Sequence, residues 1–89
     1  MIQKEIMIRN KLGLHARAAV KFVNLANRFG SAVKVMKDAT EIDGKSILGI
    51  LTLAATQGSQ ITIRVTGKDE EEAISALTAL VKDKFGEKE

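Results

Sequence analysis

The chain has 89 residues, a net charge of +3 and no cysteine, which supports one small domain and excludes disulfide frameworks and Cys-based metal or redox sites. Only three residues are aromatic and the basic residues form no block, so the core must be aliphatic and acidic protein partners fit better than nucleic acid. No apolar run is long enough for a signal peptide or a membrane span, so a cytoplasmic protein that does not insert into membranes is expected.

Met1 to Arg9 alternates, with Ile2, Ile6 and Ile8 on one side, and reads as a half-buried strand. Asn10 to Leu14 is a loop in which Gly13 supplies backbone freedom just ahead of His15, the sole histidine. A first helix is predicted from Ala16 to Phe29, with Ala16, Ala19, Val20, Val23 and Ala26 on its apolar stripe and Gly30 as its C-terminal cap. Phe22, Leu25 and Phe29 widen that stripe, and Arg17 and Lys21 share the opposite, exposed face.

His15 therefore sits at a helix mouth, where the first N–H groups lack internal partners and the macrodipole is positive. An anion beside His15 would meet free donors at Ala16, Arg17 and Ala18, and the Arg17 guanidinium matches phosphate oxygens. This suits an imidazole that carries a phosphoryl group. Taken alone, a lone histidine before a helix is more often a cap or merely exposed, and the lysine at position 21 more often belongs to a solvated helix face.

Val33 and Val35 mark a second strand, and Lys37-Asp38-Ala39 turns the chain into a short third one, Thr40 to Ile42, closed by Asp43-Gly44. Ser46 takes the N-cap of a short helix, Ile47 to Ala54, that is apolar almost all round. Since one face suffices to pack on a sheet, either it is buried on several sides or its remaining apolar groups form a docking patch. Ile61, Ile63 and Val65 alternate strictly with Thr62, Arg64 and Thr66 in the clearest strand. A third helix follows, capped by Asp69 with Glu72 completing a capping box, and buries Ala73, Ile74, Leu77, Leu80 and Val81. Gly86 stops it, and Glu87-Lys88-Glu89 is expected to fray. The order βαββαβα predicts an α+β fold: an open-faced two-layer sandwich over residues 1–89, its sheet covered by three helices on one face.

The run Asn10-Lys11-Leu12-Gly13-Leu14-His15-Ala16-Arg17, followed at the family's spacing by Lys45-Ser46-Ile47-Leu48-Gly49-Ile50-Leu51, resembles the two signatures of the HPr family, the histidine-containing phosphocarrier proteins of the phosphoenolpyruvate-dependent phosphotransferase system. The resemblance covers essentially the whole chain. It departs at Ala18, where the family usually has proline; a first-turn proline lacks only an N–H with no helical partner, so alanine is expected to keep fold and site.

The resemblance implies an antiparallel four-stranded sheet and a carrier that takes a phosphoryl group from phosphorylated enzyme I on His15 Nδ1 and passes it to enzyme IIA domains in sugar uptake and its regulation. Such a carrier is a substrate of partner phosphotransferases rather than an independent catalyst. It implies Arg17 as phosphate stabiliser, Lys21, Ile47, Leu48 and Leu51 as docking contacts, and Ser46 as a regulatory site for an HPr kinase/phosphorylase. No cofactor or metal site is visible, and a monomer suffices. Two other readings stay open: a carrier of the nitrogen-related regulatory branch, and a ligand- or RNA-binding module in which His15 forms no covalent bond.

Overall fold

The computed structural model describes residues 1–89. Four strands, β1 (Ile2–Met7), β2 (Ala32–Lys37), β3 (Thr40–Asp43) and β4 (Gln60–Thr66), form one sheet in the order β1-β4-β2-β3, every neighbouring pair antiparallel. Three helices, α1 (Ala16–Ala26), α2 (Ile47–Thr52) and α3 (Glu70–Lys82), complete the open-faced α+β sandwich expected from the element order. No helix is long and apolar enough to cross a membrane.

The register explains the two layers. Val33 lies opposite Val65 and Val35 opposite Ile63, so period-two alternation gathers these side chains on one face. They join Ile61, Phe22 and Ala18 of α1, Ile50 of α2, and Ile74, Leu77 and Val81 of α3 in one continuous core. The opposite face carries Thr62 and Arg64, and the guanidinium donates to Glu41 at 2.7 Å and to the Met36 sulfur at 2.9 Å. Hydrophobic burial at roughly 25 cal/mol per Å² thus acts on one side of the sheet only.

Helices α1 and α2 depart locally from the expected pattern. Helix α1 ends at Ala26 rather than Phe29: Asn27 is its C-cap, and Arg28 and Phe29 continue in turns. Gly30 has no positive φ and so does not terminate the helix in a left-handed conformation. The stripe is also rotated, because Ala16 and Val20 are exposed whereas Ala18 is fully buried. Helix α2 stops at Thr52, with Leu53 as its C-cap and Ala54 at φ 50°.

The capping box of α3 does not form. The Asp69 carboxylate makes no cap bond; it accepts the Gly30 N–H at 2.9 Å, the Ser31 N–H at 3.0 Å and the Ser31 hydroxyl. Glu70 takes the local role instead, accepting the Gly67 N–H at 3.0 Å and the terminal ammonium of Met1 at 2.8 Å. Glu72 is exposed.

Candidate functional site

His15 is the N-cap residue of α1, with extended backbone (φ −79°, ψ 178°), and makes no side-chain cap bond. The first helical hydrogen bond runs from the Ala19 N–H to the His15 carbonyl at 2.9 Å, so the N–H groups of Ala16, Arg17 and Ala18 have no helical acceptor. Gly13 sets the approach to this mouth. Its φ is +64°, and a Cβ there would fall 2.4 Å from the Ala55 carbonyl oxygen, so only glycine lets the loop pass so close to residues 55 and 56. The Leu14 N–H then bonds that same carbonyl at 2.9 Å, fixing the chain one residue before the histidine.

The C-terminal residues do not fray. After α3 the chain makes a single 3₁₀ turn, Lys84–Gly86, in which all three residues have positive φ (58°, 56° and 78°). Left-handed backbone costs a non-glycine residue about 1 kcal/mol or more. Complete burial of Phe85 offsets that cost, as does its carbonyl, which accepts the Lys21 ammonium at 2.6 Å. The turn throws the last residues back over the mouth of α1. There the Lys11 N–H bonds the Glu89 carbonyl at 2.5 Å, and Glu87 reaches His15.

The Glu87 carboxylate is held by both oxygens: Oε1 accepts from Asn10 Nδ2 at 3.0 Å, and Oε2 pairs with His15 Nε2. Burial works against its charge, but the hydrogen bonds from Asn10 and His15 outweigh it. With the nearby charges of His15 and Lys21, they hold the carboxyl below its ordinary range. Asn10 is itself fully buried and also donates Nδ2 to the Gly13 carbonyl at 2.8 Å, while its Oδ1 has no partner. The histidine side chain stays about a quarter exposed, at 26%, so a partner can reach the ring.

Together these residues form an open cleft of about 670 Å³, lined by Lys11, Leu12, His15, Ala16, Arg17 and the three tail residues Glu87 to Glu89. His15 and Arg17 are thus brought together at the cleft, as expected. Lys21 lies one turn further along α1, its ammonium engaged by the tail. Glu87 and Asn10 are the additions. Neighbouring residues carry no signal for either: Phe85 reads as part of the third helix, which the structure ends at Lys82, before the turn that returns the tail.

Ser46 caps α2 as expected, its hydroxyl accepting the Gly49 N–H at 3.0 Å. Helix α2 packs beside α1 and leaves Leu48 mostly exposed, at 77%, with Ile47 and Leu51 more than a third exposed. Leu12 and Val20 add to the exposed apolar surface on the loop before His15 and on α1. Ala18 occupies the first turn of α1 with no exposure, and its N–H is one of the donors left free at the mouth.

The chain matches the family model described as the PTS HPr component phosphorylation site over residues 2–83. It is 48% identical over 89 residues to the phosphocarrier protein HPr of Cupriavidus necator, covering 100% of both chains. The structure superposes on HPr-C-His from Thermoanaerobacter tengcongensis with a TM-score of 0.96, at 46% identity and 100% coverage of each chain. An HPr dimer from the same organism superposes with a TM-score of 0.79 at 47% identity, covering 98% of this chain and 100% of that one. With the fold, the helix-mouth histidine and both signatures in agreement along its whole length, the chain belongs to the HPr family of phosphocarrier proteins.

Proposed function

We propose that this protein accepts a phosphoryl group from phosphorylated enzyme I on Nδ1 of His15 and donates it to enzyme IIA domains, serving sugar uptake and its regulation in the cytoplasm. The observation that carries this reading is the state of the imidazole. Nε2 is engaged by Glu87, Nδ1 has no partner within the chain, and the ring stands partly exposed in a cleft beside Arg17. The free N–H groups of Ala16 to Ala18 and the Arg17 guanidinium stabilise a bound dianion without supplying a base that activates water. Exposed Ile47, Leu48 and Leu51 supply an apolar docking surface on the neighbouring helix. All of these residues come from one copy, so a monomer is sufficient.

The test is the intact mass after incubation with enzyme I and phosphoenolpyruvate, before and after brief acid treatment. One acid-labile phosphoryl group, absent in His15→Ala, is expected. Running the enzyme I of the sugar branch and of the nitrogen-related branch in parallel assigns the pathway. No gain from either enzyme with folded protein would favour the binding-module reading instead.

Ser46 fits a second, regulatory role. A phosphate on the N-cap hydroxyl is tolerated at a helix start, yet it adds negative charge beside the apolar docking residues. Ser46→Asp is expected to stay folded and to slow phosphorylation of His15; equal rates would remove the regulatory role.

A further inference from the structure

We propose that Glu87, oriented by Asn10, is a positioning residue that keeps the proton of the neutral His15 ring on Nε2 and so presents Nδ1 as the nucleophile. The inference deepens the phosphocarrier reading and rests on it for its catalytic consequence. Residue 87 lies beyond the stretch matched by the family model, which ends at residue 83, so the family pattern does not assign it.

A chain of donors and acceptors reaches the ring, and its polarity has one solution. Asn10 Nδ2 lies 2.8 Å from the Gly13 carbonyl oxygen and 3.0 Å from Glu87 Oε1. A backbone carbonyl and an ionised carboxylate only accept, so both must face the amide nitrogen, and its two protons are thereby spent. The carboxylate Oε2 is then left to His15 Nε2. An acceptor at that position requires an N–H on Nε2, which leaves the lone pair of a neutral ring on Nδ1. The depressed Glu87 pKa agrees with an ionised acceptor.

The placement also balances the transfer step. The Nδ1 lone pair attacks phosphorus, the Nδ1–P bond forms, the phosphorus–donor bond breaks, and its electron pair returns to the donor. No proton has to move. The product ring carries phosphorus on Nδ1 and hydrogen on Nε2, hence a positive charge, and Glu87 Oε2 already sits against that N–H. The other charged groups facing the ring are Arg17 of α1, Lys11 of the loop, and Lys88 and Glu89 of the tail, with Lys21 of α1 acting on Glu87 from behind. Of these, Glu87 alone is bonded to the imidazole.

Glu87→Gln gives an unusual prediction. Asn10 still offers only donors, so the introduced amide must turn its oxygen to Asn10 and its NH₂ to His15. That NH₂ donates to Nε2 and drives the ring proton to Nδ1, the wrong nitrogen. Glu87→Ala merely removes the preference. The loss in Glu87→Gln should therefore exceed the loss in Glu87→Ala, the reverse of the usual order for conservative and drastic changes.

The experiment is a long-range ¹H–¹⁵N spectrum of the His15 ring in the full-length protein, recorded with the ring neutral, for wild type and both variants. The same proteins are then phosphorylated with enzyme I and, without any partner, with phosphoramidate. Wild type is expected to show an unprotonated Nδ1, Glu87→Ala a mixture of tautomers, and Glu87→Gln a protonated Nδ1. Phosphorylation of Glu87→Gln should slow about tenfold or more with both donors as the competent tautomer falls to a tenth, in kcat rather than KM for enzyme I. An unprotonated Nδ1 in Glu87→Gln, or a wild-type rate with phosphoramidate, overturns the proposal. If wild type itself takes no phosphoryl group, the phosphocarrier reading fails, while the donor-free spectrum still decides whether Glu87 sets the tautomer.

Discussion

Two carboxylates, Asp69 and Glu87, each draw together parts of the chain that are far apart in sequence, and they do so for different ends. Asp69 gathers two backbone N–H groups and one hydroxyl from Gly30 and Ser31, tying the start of α3 to the turn before β2. None of those donors ionises in the physiological range, so the knot is the same in every functional state. Glu87 gathers one amide and one imidazole, the ring that takes the phosphoryl group in the proposed transfer. A carboxylate bound to invariant donors acts on stability. One bound to a ring proposed to react acts on the chemistry of that ring.

The strongest way to break the Glu87 side is through its anchor. Phe85 is fully buried at the turn that returns the tail, so Phe85→Ala is expected to cost about 3–5 kcal/mol in chemical denaturation. It should also release the last residues, read as lost protection of the Lys11 amide from hydrogen exchange. Gly13→Ala attacks the same assembly from the loop. It forces a side chain into left-handed backbone and a Cβ to within 2.9 Å of Thr56 Cα and closer still to the Ala55 carbonyl. Strain and overpacking together predict a loss of about 2–4 kcal/mol.

The Asp69 side responds to milder changes. Ser31→Ala removes the hydroxyl donor of a buried residue and should cost about 0.5–1.5 kcal/mol. Its pH signature has a defined sign. The hydrogen bond from Ser31 and the Gly30 N–H hold the Asp69 carboxyl below its ordinary value of 3.8. The unfolded chain therefore binds the proton first on acidification. The stabilisation is full above that ordinary value and fades as pH falls through the lower folded value. Asp69→Asn should flatten the acid limb of the stability profile, and an unchanged limb would remove Asp69 as its cause.

The same contrast explains what the sequence makes legible. The alternation of Ile61, Ile63 and Val65, the Ser46 cap and the histidine ahead of an amphipathic helix are written in neighbouring residues, and each appears in the structure where periodicity and capping chemistry put it. Asp69 also has the local look of a helix cap, with Glu72 three residues on. Gly30 and Ser31, nearly forty residues away, offer it three donors, and that tertiary competition defeats the box. The tail is the larger case. Gly86 followed by charged residues carries every local sign of a frayed end, while the bonds that return it, Lys21 to Phe85 and His15 to Glu87, span 64 and 72 residues. Of the site, His15, Arg17 and the helix mouth are readable in one signature; the carboxylate behind the ring exists only once the fold closes.

The smallest expected effect on stability is the sharpest test of the contrast. Deleting Glu87 to Glu89 leaves Phe85 and the Lys21 bond in place; it removes the contacts at the rim of the cleft and the Glu87 bonds to His15 and to Asn10, which keeps its bond to the Gly13 carbonyl. The Lys11–Glu89 pair is exposed, with N···O at 3.6 Å, and such pairs contribute about 0–1 kcal/mol. The truncated protein should therefore unfold within about 1 kcal/mol of wild type, a smaller loss than Phe85→Ala causes. The His15 ring, however, should lose its single-tautomer signature in the ¹⁵N spectrum. A truncation as damaging as Phe85→Ala would make the tail a structural element, and Glu87 would then differ from Asp69 only in position.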